Sequence, residues 1–505
     1  MKVLIFIAGV RYSSSSAQHI NLAIKELRKG NEVFILNCDY SLGLCTCNPL
    51  GNVLYCKICR DIQRNENKRL LPKEVKQLWI SNYVKEIKED NIPSFNYNSS
   101  EELRELSYKG IDIGLGVMST YISLTRNLAP KIDYKSRLYF DALIREQIII
   151  LSVLDMLQKK HDFKLIIFQN GRGAQFKPFL NYCQNESIDF ICTEDMGYDR
   201  DKFYENNFWN TSVHDIGAYN KLYENTWNLS KESVDEKIRK GHTFFENRRK
   251  AIYSGDKIYV AEQAYGKLPE NWDPKKENIV IFNSSEDEFA AISKDFDKEK
   301  MFKTQMDGII SIVRHYKNDE NKHFTLRVHP NLRDIRYKYH HDLYNLKCSN
   351  LSVISADSDI STYALMDAAD KVIVFGSTAG IEASYWGKPV INLGPAFYRD
   401  LNVVYKPKTL DDLWDLLNTN GLSCLKNDNI LKYGYFYMCN NYVVPQCLDI
   451  KIITVNVFGK RIKCLNTQKI LGSNHLYVFI TALMDKYLKK FSIFSRFKSI
   501  PTEEY

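Results

Sequence analysis

Short runs of β-branched, aliphatic and aromatic residues recur along this chain. Each is closed by a glycine or a polar turn, and most lead into a longer segment with apolar residues three and four apart. The first run is Lys2 to Gly9. A Ser-rich loop, Arg11 to Ala17, follows it, and Gln18 to Lys29 then carries Ile20, Leu22, Ala23 and Leu27 at helical spacing before Gly30 stops it. Glu32 to Asn37 is the next strand. Arg137 to Lys160 is a long amphipathic helix with Leu143, Ile144, Ile148, Leu151 and Leu154 on one stripe, and it delivers the chain to strands at Lys164–Phe168 and Asp189–Cys192. The alternation resumes with a strand at Asn278–Phe282, a helix at Met306–Tyr316 and a strand at Phe324–Val328. It continues with a strand at Val372–Phe375, a helix at Ile381–Trp386 and a strand at Val390–Leu393. Strands alternating with helices predict an α/β protein with parallel sheets.

A chain of 505 residues is too long for one core. Pro269, Asn271 and Pro274 mark a break, and the pattern divides the chain into 1–235, a helical connection 236–275, a second α/β domain 276–415 and a tail 416–505. The polar stretch 60–110, with a helical patch at Lys73–Lys88, reads as an insertion over the first domain. Thr409–Leu417 reads as a short amphipathic helix and Lys451–Val457 as a strand. Leu476–Phe497 reads as a basic amphipathic helix that either lies on an anionic membrane surface or packs back on the first domain.

Composition narrows the partners. The net charge of +8 suits anionic ligands or an anionic surface, but no arginine-rich run or zinc-finger spacing points to nucleic acid. No apolar run reaches the length of a bilayer span, and the first strand is followed too soon by Arg11 to read as a signal peptide. The expected location is cytoplasmic, peripheral to the inner membrane face if the tail helix binds it, with the twelve cysteines as thiols. Cys45, Cys47, Cys56 and Cys59 offer either a tetrahedral structural zinc set or a cysteine-containing loop without metal. The single residue between the first two departs from the usual clamp. The G-x-G-x-x-G fingerprint of a dinucleotide site is absent.

The chemistry gathers at the carboxyl ends of the strands, where parallel sheets bind ligands. Lys371 to Gly394 reads as strand, turn, helix, strand. Ser377 and Thr378 sit at the helix start, Gly380 allows close backbone approach, and Glu382 is placed to accept from a ribose or sugar hydroxyl. His329, with Arg327 before it and Arg333 after it, is a candidate phosphate clamp, and Ser284 and Ser285, at another strand end, are candidate donor contacts of which one caps the helix that follows. In the first half, Asn170 and Arg172 follow one strand end as candidate acceptor-binding residues, a role expected of His214 as well. Glu194 and Asp195 follow the next as candidate general bases, and His214 stands beside Asp215.

The run GSTAGIEASYWGKPVI, with RVHPN and FNSSEDEF upstream of it, resembles bacterial capsule-polysaccharide and lipopolysaccharide glycosyltransferases, as do FQNGRGAQFKP, the TEDMG turn and FFENRR. The resemblance runs from about 165 to 400 and implies a GT-B architecture, two Rossmann-like domains facing a cleft. It also implies sugar transfer from a nucleotide-sugar co-substrate to a glycan or glycolipid acceptor, with no metal or other cofactor required. Sialyl- and Kdo-transferases are similar in their acidic, His-Pro and Ser-Thr motifs. By that likeness Glu194 or Asp195 deprotonates the acceptor, His329 meets the donor phosphate, Ser377 and Thr378 bind it, and the donor is a CMP-activated acidic sugar. The extra Met196 departs from the acidic motif. A non-hydrolysing nucleotide-sugar epimerase, a polyol-phosphate transferase and a non-catalytic assembly scaffold are the alternatives.

Overall fold

The structure is a computed structural model that describes residues 1–8, 13–87, 92–199, 202–254, 258–335, 337–439, 450–457, 460–467 and 495–502. For 13–17, 62, 65, 66, 69, 195–199, 202–206, 450–457 and 460–467 it describes the backbone alone. Two compact units divide the chain, Met1–Val213 with Tyr442–Glu504, and His214–Asn441. The sequence reading set its first boundary at 235.

The first unit is built on β1 (Lys2–Ile7), β2 (Glu32–Asn37), β3 (Lys76–Trp79), β4 (Leu165–Gln169), β5 (Asp189–Asp199) and β6 (Lys202–Trp209). They lie in the order β3-β2-β1-β4-β5-β6, parallel except for the final hairpin. The apolar runs bury completely, as a strand covered on both faces must: Val3, Leu4, Ile5 and Phe6 are all fully buried. The helix Tyr134–His161 begins with a reciprocal capping box between Asp133 and Ser136 and ends on Asp162 in the left-handed conformation.

Two expectations change here. The helical patch at Lys73–Lys88 is replaced by β3 and the short helix Ser81–Val84, so part of the supposed insertion extends the sheet. The TEDMG segment is not a turn after a short strand. Polar residues there continue β5 to Asp199, paired in register with β6 as far as Asp195, where the ladder shifts.

The second unit holds β7 (Glu277–Phe282), β8 (Lys322–Arg327), β9 (Leu351–Ile354), β10 (Lys371–Val374) and β11 (Val390–Asn392), all parallel, in the order β9-β8-β7-β10-β11. Strand β9 carries little signal in the sequence, because its residues Leu351, Ser352 and Val353 are only half-buried at the sheet edge and its apolar run is short. Ile279, Ile281, Phe324, Leu326 and Ile373 form the core with Ile309 and Ile312 of the helix Gln305–His315. The helix Asn429–Met438, part of the expected tail, packs on Val234–Arg249 in this unit. They cross so closely that a Cβ on Gly434 would lie 2.4 Å from the Gly241 carbonyl oxygen.

Both sheets have the doubly wound order, in which the first strand of each unit lies between strands whose connections leave in opposite directions. The polar loops meet at that reversal. Most of the basic stretch 476–497 lies outside the described residues. Its end packs on the first unit, where the Phe497 ring meets Tyr139 edge-on at 5.1 Å and the Pro501 carbonyl accepts from the Tyr121 hydroxyl at 2.8 Å. No helix among the described residues is long and apolar enough to cross a membrane.

Candidate functional site

In the second unit, the loops after β7, β8 and β10 enclose a cavity of about 60 Å³. Asn283, His329, Ser377, Thr378 and Glu382 face it from the strand ends, with Tyr259 and Thr362 completing the wall. The sequence-predicted His-Pro and Ser-Thr motifs, 48 positions apart, therefore meet at one site.

Hydrogen bonds fix His329. Its backbone N–H donates to Asn283 Oδ1 at 2.8 Å, its Nδ1 accepts from the Asn331 N–H at 3.1 Å, and the Tyr259 ring meets it edge-on at 5.0 Å. An Nδ1 that accepts carries no proton, so the neutral ring carries its proton on Nε2 as a donor. Ser377 is buried. Its hydroxyl accepts from the Ala379 N–H at 3.3 Å, and its carbonyl is held by the Tyr398 hydroxyl. Gly376, at φ +95°, makes the turn that presents Ser377, and a Cβ there would strike the Pro395 carbonyl at 2.1 Å.

Several of the predicted residues are engaged by the protein itself. Gly380 makes room for protein, not for a ligand, since its Cβ would lie 2.3 Å from the Tyr398 hydroxyl. Glu382 faces the cavity, but its carboxylate is taken by Arg248 Nε at 3.0 Å and by the Tyr363 hydroxyl, all in buried surroundings. Ser284 donates to the Phe375 carbonyl at 3.0 Å and Ser285 to Asp287 at 2.9 Å, and neither lines the cavity. Arg327 lines it, but its terminal nitrogens bond the Ser355 and Ser358 carbonyls, and burial pulls its guanidinium down to about 10, still cationic at neutral pH. The Nε–H of Arg327 has no protein partner. Arg333 is exposed and paired with Glu262 at 2.9 Å. Tyr363 and Tyr398 carried no local motif, and FFENRR did not single out its Arg248, since their importance lies in partners more than a hundred positions away or around a bend of the chain.

In the first unit, the predicted Asn170, Arg172 and Glu194 come together. Asn170 and Gly171 take left-handed backbone at φ +57° and +71°, which turns Asn170 so that its amide donates to Glu194 Oε2 at 2.5 Å. The Asn170 N–H bonds the Thr193 carbonyl at 2.8 Å, locking the ends of β4 and β5 side by side. Arg172 Nε donates to Ser119 Oγ at 2.7 Å. Buried His19 reaches the Thr193 hydroxyl at 3.0 Å, and burial pushes its imidazole down to about 4. The side chain of Asp195 lies outside the described residues. His214 falls in the second unit, and its neighbour Asp215 caps the helix Ile216–Leu229 by accepting from the Ala218 N–H at 3.1 Å.

Cys45, Cys47, Cys56 and Cys59 do converge, with Cys38, around a cavity of about 30 Å³. Asn48 donates to Cys45 Sγ at 3.1 Å and to Cys56 Sγ at 3.0 Å, while burial raises the Cys56 thiol to about 11. Among the described residues no three His, Cys, Asp or Glu side chains are placed to hold a metal ion.

Residues 191–415 match the family model described as capsule polysaccharide biosynthesis protein, less than half of the chain. No curated protein matches. Among solved structures, a β-Kdo 2,4-transferase, KpsC of Thermosulfurimonas dismutans, is 14% identical over 55% of this chain and 80% of that one, with a TM-score of 0.35. Its β-Kdo 2,7-transferase structure is 18% identical over 62% and 85%, with a TM-score of 0.31. The UDP-GlcNAc 2-epimerase of Methanocaldococcus jannaschii is 11% identical over 87% and 98%, with a TM-score of 0.24. At such values the family match, not the neighbours, carries weight. Over 191–415 it bears out the capsule-polysaccharide resemblance, and the two parallel sheets bear out the α/β class.

Proposed function

We propose that this protein is a glycosyltransferase of capsule polysaccharide biosynthesis, taking a sugar from a nucleotide-activated donor to a growing glycan. One observation carries the reading: His329, Ser377 and Thr378, from two separate motifs, line one cavity at the strand-order reversal of a doubly wound sheet. An Nε2–H donor, two hydroxyls and the Arg327 guanidinium suit a leaving phosphate. Donors aimed at charge that grows as the glycosidic bond breaks stabilise the transition state more than the ground state. Support from the family match extends to capsule polysaccharide biosynthesis. The nucleotide, the sugar and the acceptor belong to this proposal.

In the first unit Glu194 is the candidate base, held by Asn170 at a strand end. The engagement of Glu382 with Arg248 and Tyr363 moves ribose recognition elsewhere on the cavity wall, where Thr362 offers a hydroxyl.

Thermal-shift titration with CMP, CDP, UDP, GDP and TDP tests the reading. A nucleotide that binds only the folded chain raises the melting temperature by mass action. One of the five should raise it, and His329→Ala and Ser377→Ala should each abolish the rise without lowering the unliganded melting temperature. No shift with any of them, or full shifts in both variants, overturns the assignment. A shift with CMP alone directs the donor search to CMP-activated acidic sugars, and one with UDP or GDP excludes that narrower class.

A further inference from the structure

Between the helix Val234–Arg249 and β7, residues 258–276 form neither helix nor strand, and Gly266, Pro269 and Pro274 interrupt any repeat there. Every one of them is at least partly exposed. Yet Ile258, Tyr259 and Val260 form one wall of the cavity that holds His329, Ser377 and Thr378. Each other element of that wall brings a buried residue with it, among them Asn283, Arg327, Met366 and Ser377, and so is fastened to the core. At about 60 Å³ the cavity is smaller than the roughly 300–1,000 Å³ of sites that enclose a drug-sized ligand. To enclose a nucleotide one wall must give, and the strap 258–262 is the wall with the fewest buried contacts to lose.

The strap is fastened unevenly. Its downstream part is riveted to the loop that leads into the helix Thr362–Ala368. Gln263 Oε1 accepts from the Thr362 N–H at 2.7 Å, and the Ala264 N–H donates to the Asp359 carbonyl at 2.8 Å. Both carboxylate oxygens of Asp359 accept from Lys267 Nζ at 2.8 Å, and the Lys267 carbonyl accepts from the Ser361 N–H at 3.0 Å. Upstream of Gln263 the strap meets the site itself. The Tyr259 ring lies edge-on to His329 at 5.0 Å, and Glu262 pairs with Arg333, four residues beyond His329, at 2.9 Å. The Glu262 and Arg333 side chains are 77% and 47% exposed. A pair this open to water shifts an equilibrium by about two- to fivefold, strong enough to bias a conformation and weak enough to part readily.

We propose that 258–262 is a gate over the donor cavity, hinged at Gln263 and Ala264 and latched by Glu262 on Arg333, so that a nucleotide is enclosed while the pair holds and released when it parts. This rests on the glycosyltransferase reading. It adds a means of controlling entry to the same site, and it makes Glu262 and Arg333 positioning residues that act through the strap rather than contacts to the phosphate.

Isothermal titration of the full chain with CMP, CDP, UDP, GDP and TDP tests the gate, because the latch predicts a sign that simple electrostatics does not. Glu262→Gln removes a negative charge from the neighbourhood of an anionic ligand, which by charge alone leaves binding equal or tighter. As a latch, its loss should weaken the nucleotide that binds wild type by about two- to fivefold. Arg333→Gln should weaken it by the same factor, the double variant should be no weaker than either single, and the exchange Glu262→Arg/Arg333→Glu should restore wild-type affinity. Both side chains are exposed, so the unliganded melting temperature should stay as in wild type in every variant. Binding that is equal or tighter in Glu262→Gln, a loss in Arg333→Gln far beyond that in Glu262→Gln, or an exchange variant that fails to recover each overturns the gate. A direct phosphate contact by Arg333 gives the second and third of these. Nucleotide bound by wild type but indifferent to Glu262→Gln sinks the gate alone, whereas no binding of any of the five to wild type sinks the glycosyltransferase reading with it.

Discussion

Removing either partner of the buried Arg248–Glu382 pair should cost more than removing both. Arg248 and Glu382 side chains are 9% and 8% exposed and bonded at 3.0 Å, and the Tyr363 hydroxyl occupies the second carboxylate oxygen. In Arg248→Met the aliphatic stem is kept, but the guanidinium's contact over the Phe244 ring, 5.6 Å from its centroid, is lost and Glu382 becomes a buried anion with one neutral donor. Stranding a buried charge costs about 3–5 kcal/mol. Glu382→Gln keeps shape and still bonds Tyr363 but leaves the buried Arg248 guanidinium without its carboxylate, so a loss of the same order, about 3–5 kcal/mol, is expected. The double variant Arg248→Met/Glu382→Leu should recover much of the Arg248→Met loss, because no charge remains to be solvated. Urea unfolding read at the tryptophans, with slopes on the order of 2–3 kcal/mol/M, should move the second unit's midpoint down by roughly 1–2 M in Arg248→Met. The two units need not unfold together, so the transition must be resolved before midpoints are compared. A loss below about 1 kcal/mol in Arg248→Met, or a double variant worse than either single, refutes the assignment of Glu382 to the fold rather than to a ligand.

Acid should expose His19. Its folded-state value of about 4 lies below the ordinary 6.5, so the unfolded chain binds the proton more readily. The stability tied to its neutral form is present above pH 6.5 and lost as pH falls toward 4. The limit is about 3 kcal/mol, and melting scans from pH 7.5 to 4.5 should fall less in His19→Asn than in wild type. Gly380→Ala should cost about 1–3 kcal/mol by forcing its Cβ against Tyr398, and Tyr398→Phe should partly rescue it. A Gly380→Ala protein as stable as wild type would show that the approach is not as close as 2.3 Å. Glu194→Gln should lose transfer by at least about a hundredfold while keeping nucleotide binding, measured as kcat against donor Kd, and equal loss of both would remove it from the base role.

What the sequence shows about this protein, and what it conceals, follows from the range of the interactions. Strands such as Glu32–Asn37 were legible because burial on both faces demands an unbroken apolar run. Ser377, Thr378 and His329 were legible because a strand end followed by a turn is a local pattern, and the parallel order β8-β7-β10 then brings those ends together with no further instruction. Where local pattern and tertiary need diverge, the reading fails in a regular way. Glu382 sits one turn into a helix, where a ligand-binding acid and a structural acid have the same neighbours in sequence. Only the arrival of Arg248 from 134 positions away decides between them. Gly380 is the same case: a glycine near a turn signals close approach, but the approaching group is Tyr398. TEDMG reads as a turn because acidic residues and glycine favour one. The ladder to β6 supplies enough backbone hydrogen bonds to override that preference, a tertiary gain no window on the sequence contains.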